Sequence, residues 1–313
     1  MTPPMLPSRF FAAYALDWIA GDPPSMPHPV RLIGAAISHG ERLLRRPAKP
    51  EIELLEGSLL TAAVVAGAWA VARVVRKAGP SAEILLGWTT LATRDLLDES
   101  TAVVQAVEAG DLPQARLLLS RIVGRDTDPL DAPDILRAVI ETLAEGLCDG
   151  VVAPLIYLAL GGVPAAFAYK AINTLDSMIG HPEPPYRYFG RVAARLDDAA
   201  NFVPARVAAT AICAAALLTK HDAHQAWSIF LRDGSHHPSP NAGQSEAAMA
   251  GALGVRLGGT NYYGGEPSPK PVLGAEGRRP TVPDARNALF ITAVASVIVF
   301  SVAWTYLAIW RRR

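Results

Sequence analysis

The run Lys170–Arg206, KAINTLDSMIGHPEPPYRYFGRVAARLDDAANFVPAR, decides how the chain is read. It is dense in ionisable groups, yet it lies between two strongly apolar stretches. Gly150–Tyr169 ahead of it carries no charge, and Val207–Thr219 behind it is uncharged and mostly Ala, Leu and Ile. Charges kept so close to lipid-length apolar segments are expensive and therefore point to function.

Working outward, several further stretches match the bilayer. Asn287–Trp310 is uncharged and ends on Arg311, Arg312 and Arg313. About 20 apolar residues cross a hydrocarbon core, so this reads as a transmembrane helix with its basic tail inside. Gly57–Ala72 with Arg73, Arg76 and Lys77 behind it is a second span, extended by snorkelling. Gly150–Tyr169, interrupted by Pro154, Gly161, Gly162 and Pro164, is a third, and Val203–Thr219 a fourth. Phe10–Gly21 carries Asp17 and lacks a basic leader or small-residue cleavage site, so it is not read as a signal peptide. The sequence predicts an all-α, polytopic membrane protein of four to five spans, one domain over residues 1–313, with loops and helices facing the cytoplasm. Its surroundings are then membrane lipid, and a homo-oligomer is left open.

Composition narrows the function. The 29 basic and 29 acidic groups cancel, which leaves no cationic excess for a long phosphate backbone and argues against nucleic acid. Cys148 and Cys213 lack metal-ligand spacing and read as small buried hydrophobes. No G-x-x-x-x-G-K-[ST] or H-E-x-x-H run is present.

In chain order, Gly21-Asp22-Pro23-Pro24 ends an apolar helix. Prolines 23, 24, 27 and 29 then force an extended loop that fixes His28, and Arg31 follows in the next helix. Arg42–Glu56 reads as a solvated linker, and Glu83–Gly110 as one long helix. After the loop GRDTDPLDAPD, the helix begun at Pro133 carries Arg137, Glu141, Glu145 and Asp149 in one i+4 stripe. A solvated stripe is the plain alternative, but this one runs straight into an apolar span. Arg187, Arg191 and Arg195 form a second i+4 row beside Asp198, Asp197 pairs with Asn201 at the same spacing, and Pro204 ends the helix. Arginine grips phosphate bidentately and Mg²⁺ takes one or two carboxylates with waters, so these rows suit a Mg²⁺-phosphate site. An ion-pair network is the competing reading. Asp126 and Asp128 are further metal candidates, with Arg125 for phosphate. His236-His237 reads as loop polar groups, and TNYYGGE as a glycine-rich loop.

Six blocks, in order from Phe10 to Gly265, resemble the CobD/CbiB membrane proteins of cobalamin biosynthesis, the adenosylcobinamide-phosphate synthases. They are LDWIAGDPPSMPHPVRLIG, VGRDTDPLD, RAVIETLAEGLCDGVVAPL, YKAINTLDSMIG, YFGRVAARLDDAANFVPAR and SPNAGQSEAAMAGALGVRLGG. Gly146 and Gln244-Ser245 depart from the family's usual asparagine and Trp-Pro. The resemblance implies ATP- and Mg²⁺-dependent joining of adenosylcobyric acid to (R)-1-aminopropan-2-ol or its O-phosphate. On that expectation Asp126, Asp197 and Asp198 are metal ligands. Arg125, Arg195, Arg206 and Lys170 hold phosphates, and Glu141 or Asp176 is the base, with Asp197 also counted as catalytic. Asn173, Asn201 and Asn241 bind the corrin amides, and His28, Arg31 and Ser239 complete the substrate contacts. A signalling protein like the distantly related AmpE proteins is the rival from another class, and a transporter is a second.

Overall fold

A computed structural model describes residues 4–23, 28–46 and 49–311. Pro24 and Pro27 of the proline-rich loop, and Arg312 and Arg313 of the basic tail, lie outside the described residues. Four helical stretches are long and apolar enough to cross a membrane: Pro50–Ala78, Ala132–Ile179, Arg191–Leu218 and Val282–Trp310. The helix α3 (Pro50–Val75) keeps Leu55, Leu59, Val71 and Val74 exposed. So does α12 (Val282–Trp310) with Phe290, Val297 and Val302. Apolar surface of that kind is at home against lipid. The chain is an all-α polytopic membrane protein.

The chain divides into two compact units. The first comprises Met1–Ala92, Ala153–Asn201 and Ser301–Arg313. It contains α1 (Pro7–Ala20), α2 (Pro29–Leu44), α3, α4 (Pro80–Trp88), α8 (Ala153–Ile179) and the start of α9 (Arg191–Leu218). In this unit α3 packs along α8, and α1 along α4. Gly57 makes the close approach possible: a Cβ there would lie 1.8 Å from the Phe189 carbonyl oxygen. An ion pair from Arg9 to Glu83 and the Trp88 Nε1–H bond to the Gly21 carbonyl (3.1 Å) tie α1 to α4.

The second unit comprises Thr93–Val152 and Phe202–Phe300. It holds α5 (Thr93–Glu108), α6 (Leu112–Leu119), α7 (Ala132–Gly146), α10 (Ala223–Asp233) and α11 (Ala242–Leu253), with β1 (Leu257–Tyr263) and β2 (Glu266–Leu273). The two strands pair antiparallel around Gly264-Gly265, where φ is +58° and +82°. Two positive φ values are the signature of the tight hairpin turn that glycine allows.

Several expectations are corrected. The predicted helix Glu83–Gly110 is two helices, because the Thr89 and Thr90 hydroxyls donate to the Leu86 and Gly87 carbonyls and close α4. The predicted linker is largely helical, with α3 starting at Pro50, a residue suited to a first helical turn. TNYYGGE is the core of the hairpin and not a loop. Pro204 does not end α9. It has no N–H for the Ala200 carbonyl, and the Tyr157 hydroxyl donates to that carbonyl at 3.0 Å in its place. The stripe from Arg137 stops short of Asp149, because a single π-helical turn at Leu147–Val152 shifts the face.

Two outcomes test this packing in detergent. Gly57→Ala should cost about 1–3 kcal/mol by overpacking against Phe189. Gly67→Ala, with open space around its Cβ, should be neutral or stabilising by up to about 1 kcal/mol; equal melting shifts would refute the contact. Asp233 is buried, and the adjoining Arg232 guanidinium holds its carboxyl below the usual range. Its stabilising effect is therefore present above about pH 4, the ordinary aspartate value, and is lost as pH falls through the lower folded value. Asp233→Asn should flatten that acid limb in a melting series, and an unchanged limb would count against the assignment.

Candidate active site

In the first unit, α8 and α9 bring Tyr169, Asn173, Asp197 and Asn201 together. The Tyr169 hydroxyl donates to Asn201 Oδ1 at 2.9 Å, which fixes the amide so that its Nδ2 faces Asp197 Oδ2 at 3.1 Å. Asn173 Nδ2 donates to Asp197 Oδ1 at 3.4 Å. Asp197, Asn201 and Tyr169 are all buried. Lys170 and Asp176 are half-buried on the same helix α8, and Asp176 packs at its end against Gly180.

Neighbouring residues of a helix project about 100° apart, so Asp197 and Asp198 face different surroundings. Asp198 lines a cavity of about 600 Å³ with His181, Arg187, Arg191 and Arg195. Arg187 sits in the turn before α9 and not on the helix. His28 has a structural duty at the start of α2. Its Nδ1 accepts from the Val30 N–H at 3.3 Å, and its Nε2 lies 3.2 Å from Asp22 Oδ2. Arg31 is exposed.

The second unit holds a denser polar cluster. Glu141 Oε2 accepts from Arg125 Nη2 at 2.5 Å, while Oε1 accepts from Arg137 Nη1 (3.2 Å) and the Gly258 N–H (2.8 Å). Asn261 Oδ1 bridges the same two arginines, at 2.8 Å from Arg125 and 3.2 Å from Arg137. Its Nδ2 is buried and has no partner. Arg137, Glu141 and Asn261 are all buried, so the solvated-stripe alternative fails for the first half of the α7 stripe, while Glu145 is exposed.

Glu246 belongs to this cluster. Burial and the nearby carboxylates of Glu141 and Glu145 push its carboxyl well above the usual range, with Lys270 and Arg125 opposing. His237 is also buried, and burial with the positive Lys270 lowers its imidazole to about 4, so it is neutral near pH 7. The Ser239 N–H donates to His237 Nδ1 at 3.1 Å, which assigns the ring proton to Nε2. That Nε2 is buried and meets no partner. Ser239 Oγ accepts from the Asn241 and Ala242 N–H groups (3.3 and 3.2 Å) and starts α11. Arg206 donates to Asn241 Oδ1 at 3.2 Å and lies over the Phe202 ring.

The site residues inferred from sequence therefore fall into local sets. Asn173, Asp197 and Asn201 meet in one unit. In the other, Arg125 meets Glu141, and Arg206 meets Asn241. Asp126 has a different task, since both its oxygens accept from the hairpin turn, Gly264 N–H at 3.0 Å and Gly265 N–H at 2.7 Å. Among the described residues no three His, Cys, Asp or Glu side chains are grouped to hold a metal ion. Mg²⁺ asks for only one or two carboxylates and its own waters, so Asp197 or Asp198 alone satisfies its donor chemistry. Sequence reasoning missed Glu246, Lys270 and Asn261, and it set His237 aside. A signal for Glu246 existed: it is the one charge in the alanine-rich α11, every residue of which is buried.

Comparison with known proteins agrees over nearly the whole chain. The family model described as CobD/Cbib protein matches residues 10–292. A cobalamin biosynthesis protein CobD of Geobacter metallireducens is 48% identical over 271 residues, 84% of each chain. The CobD of Yersinia enterocolitica is 43% identical over 300 residues, covering 93% of this chain and 94% of the relative. The cobalamin biosynthesis protein CbiB of Salmonella typhimurium is 42% identical over 298 residues, 92% and 93% of the two chains. No solved structure matches. This chain belongs to the CobD/CbiB family, whose members serve cobalamin biosynthesis.

Proposed function

We propose that this protein makes an amide, joining a propionate carboxyl of adenosylcobyric acid to the amine of (R)-1-aminopropan-2-ol or of its O-phosphate, with ATP consumed. The observation that carries the reading is the buried set of Arg137, Glu141 and Glu246, with the half-buried Arg125 paired to Glu141, in one unit of a CobD/CbiB chain. A free carboxylate is a poor electrophile. Activation as an acyl phosphate removes that obstacle, and forming one is a matter of positioning and charge neutralisation.

In this reading Arg187, Arg191 and Arg195, which share a cavity in the first unit, hold phosphate oxygens, with Lys170 of the same unit as a further cation. Mg²⁺, when bound, neutralises charge on the transferring phosphoryl group, and Asp197 or Asp198 would hold it. Tyr169, Asn173 and Asn201 orient the Asp197 carboxylate, and the asparagines offer their remaining valences to corrin amides. Glu141 has both oxygens engaged, so it organises the arginines and is poorly placed to take a proton. The corrinoid is the large substrate, and the site faces the cytoplasm, where ATP is.

The decisive assay uses the purified full chain with adenosylcobyric acid, each amine in turn, ATP and Mg²⁺, read by mass spectrometry. An amide product is expected, and none with either amine refutes the proposal. Asp197→Asn should lower the rate on the order of 10²-fold or more while the protein remains folded, since Asn keeps the volume but not the charge. A wild-type rate in that variant would remove Asp197 from the site. Cysteines placed at Ser177 and Ser239 should react with impermeant reagent only from the cytoplasmic side; labelling from outside would reverse the topology.

A further inference from the structure

The amide reading needs a group that takes a proton from the incoming amine, which is an ammonium near neutral pH and cannot attack. Glu141 does not serve, because Arg125, Arg137 and the Gly258 N–H occupy both oxygens. One helix away, Glu246 is 4% exposed, and its carboxylate accepts no hydrogen bond from a described residue. The charged groups around it are Glu141 and Glu145 from α7, Lys270 from β2 and Arg125 from the preceding loop. Two buried donors in the same cluster also lack partners, His237 Nε2–H and Asn261 Nδ2–H, at 8% and 3% residue exposure. Buried polar groups in native proteins are satisfied, so orphaned donors on β1, which packs on α11, and on the His237 loop, which packs on Gly243 of α11, mark a place for a ligand.

We infer that Glu246 binds the ammonium of the amine substrate and is the base that deprotonates it, with His237 and Asn261 donating to oxygen of the acyl partner. This rests on the amide reading above. A buried ammonium beside a buried carboxylate is driven toward the neutral amine and the neutral acid, since burial penalises both charged forms. The balance is simple. One N–H proton passes to a Glu246 carboxylate oxygen, and the freed lone pair forms the C–N bond at the acyl phosphate carbon. The C–O bond to phosphate then breaks with its electron pair leaving on phosphate, and the second N–H proton goes to a phosphate oxygen. Glu246 releases its proton to water before the next turnover. The two donors face the carbonyl oxygen as negative charge builds on it.

Hydroxylamine separates this role from a structural one, because it is already neutral near pH 7 and needs no base to attack. With full-length protein in lipid nanodiscs, Glu246→Gln should lower amide formation from aminopropanol on the order of 10²–10⁴-fold, yet keep ATP-dependent hydroxamate formation within about tenfold of wild type. Glu246→Asp should recover part of the amide rate and carries the same comparison should the Gln variant fail to fold. The role is overturned if the Gln variant makes amide at the wild-type rate, or if amide and hydroxamate fall together. Wild-type protein that yields neither product overturns the amide reading itself, a result distinct from loss of the Glu246 role alone.

Discussion

Glu141 is a carboxylate sunk in an apolar helix, and the second unit is arranged to make that tolerable. An unpaired charge there would cost several kcal/mol even after relaxation, about what a whole domain has to spare. Three separate pieces of chain bring donors to it: Arg125 from the loop before α7, Arg137 from one turn earlier on α7, and the Gly258 N–H from β1. Asn261 then joins the two arginines and fixes their spacing. Such a network adds little net stability over an apolar core, but it admits one register of hairpin against helix. Placement of Lys270, on β2 opposite Gly259, depends on that register.

The spans obey a related constraint. In hydrocarbon every backbone carbonyl must find a donor within the protein. α9 passes straight through Pro204 because Tyr157 supplies the missing donor to Ala200. α8 carries Gly162 at φ +67° and Pro164, and its helix resumes after the kink. The Tyr157 ring stacks on Tyr169 with centroids 5.0 Å apart, and Tyr169 in turn holds Asn201 against Asp197. One aromatic pair thus serves both the helix repair and the polar site.

Much of this was legible in the sequence, and what was not has physical causes. Long apolar runs identify spans because the bilayer reads length and hydropathy locally. The charged blocks around Asp197 and Glu141 stood out because charge beside such runs is costly. The break at Thr89-Thr90 was hidden, since either threonine is tolerated inside a helix and only the hydroxyl direction ends it. Asp126 looked like half of a metal motif until the turn it caps, 138 residues further on, came into view. His237 gains its importance from Glu141, far away in sequence. Local pattern carries the membrane architecture; the partners of each charge are a property of the fold.

β2 carries Pro267, Pro269 and Pro271 at every second position; the first two lie opposite Tyr262 and Thr260, and Pro271 falls in the bulge between the Gly258 and Gly259 pairs. A two-stranded hairpin has two open sides, and an open strand side is a template on which another chain can hydrogen-bond. Along β2 the outward amide positions are prolines, which have no hydrogen to offer. Another copy of the protein, or a nascent chain nearby, finds acceptors there but no matching donors. The hairpin that holds Glu141 in place is thereby protected from growing into a larger sheet.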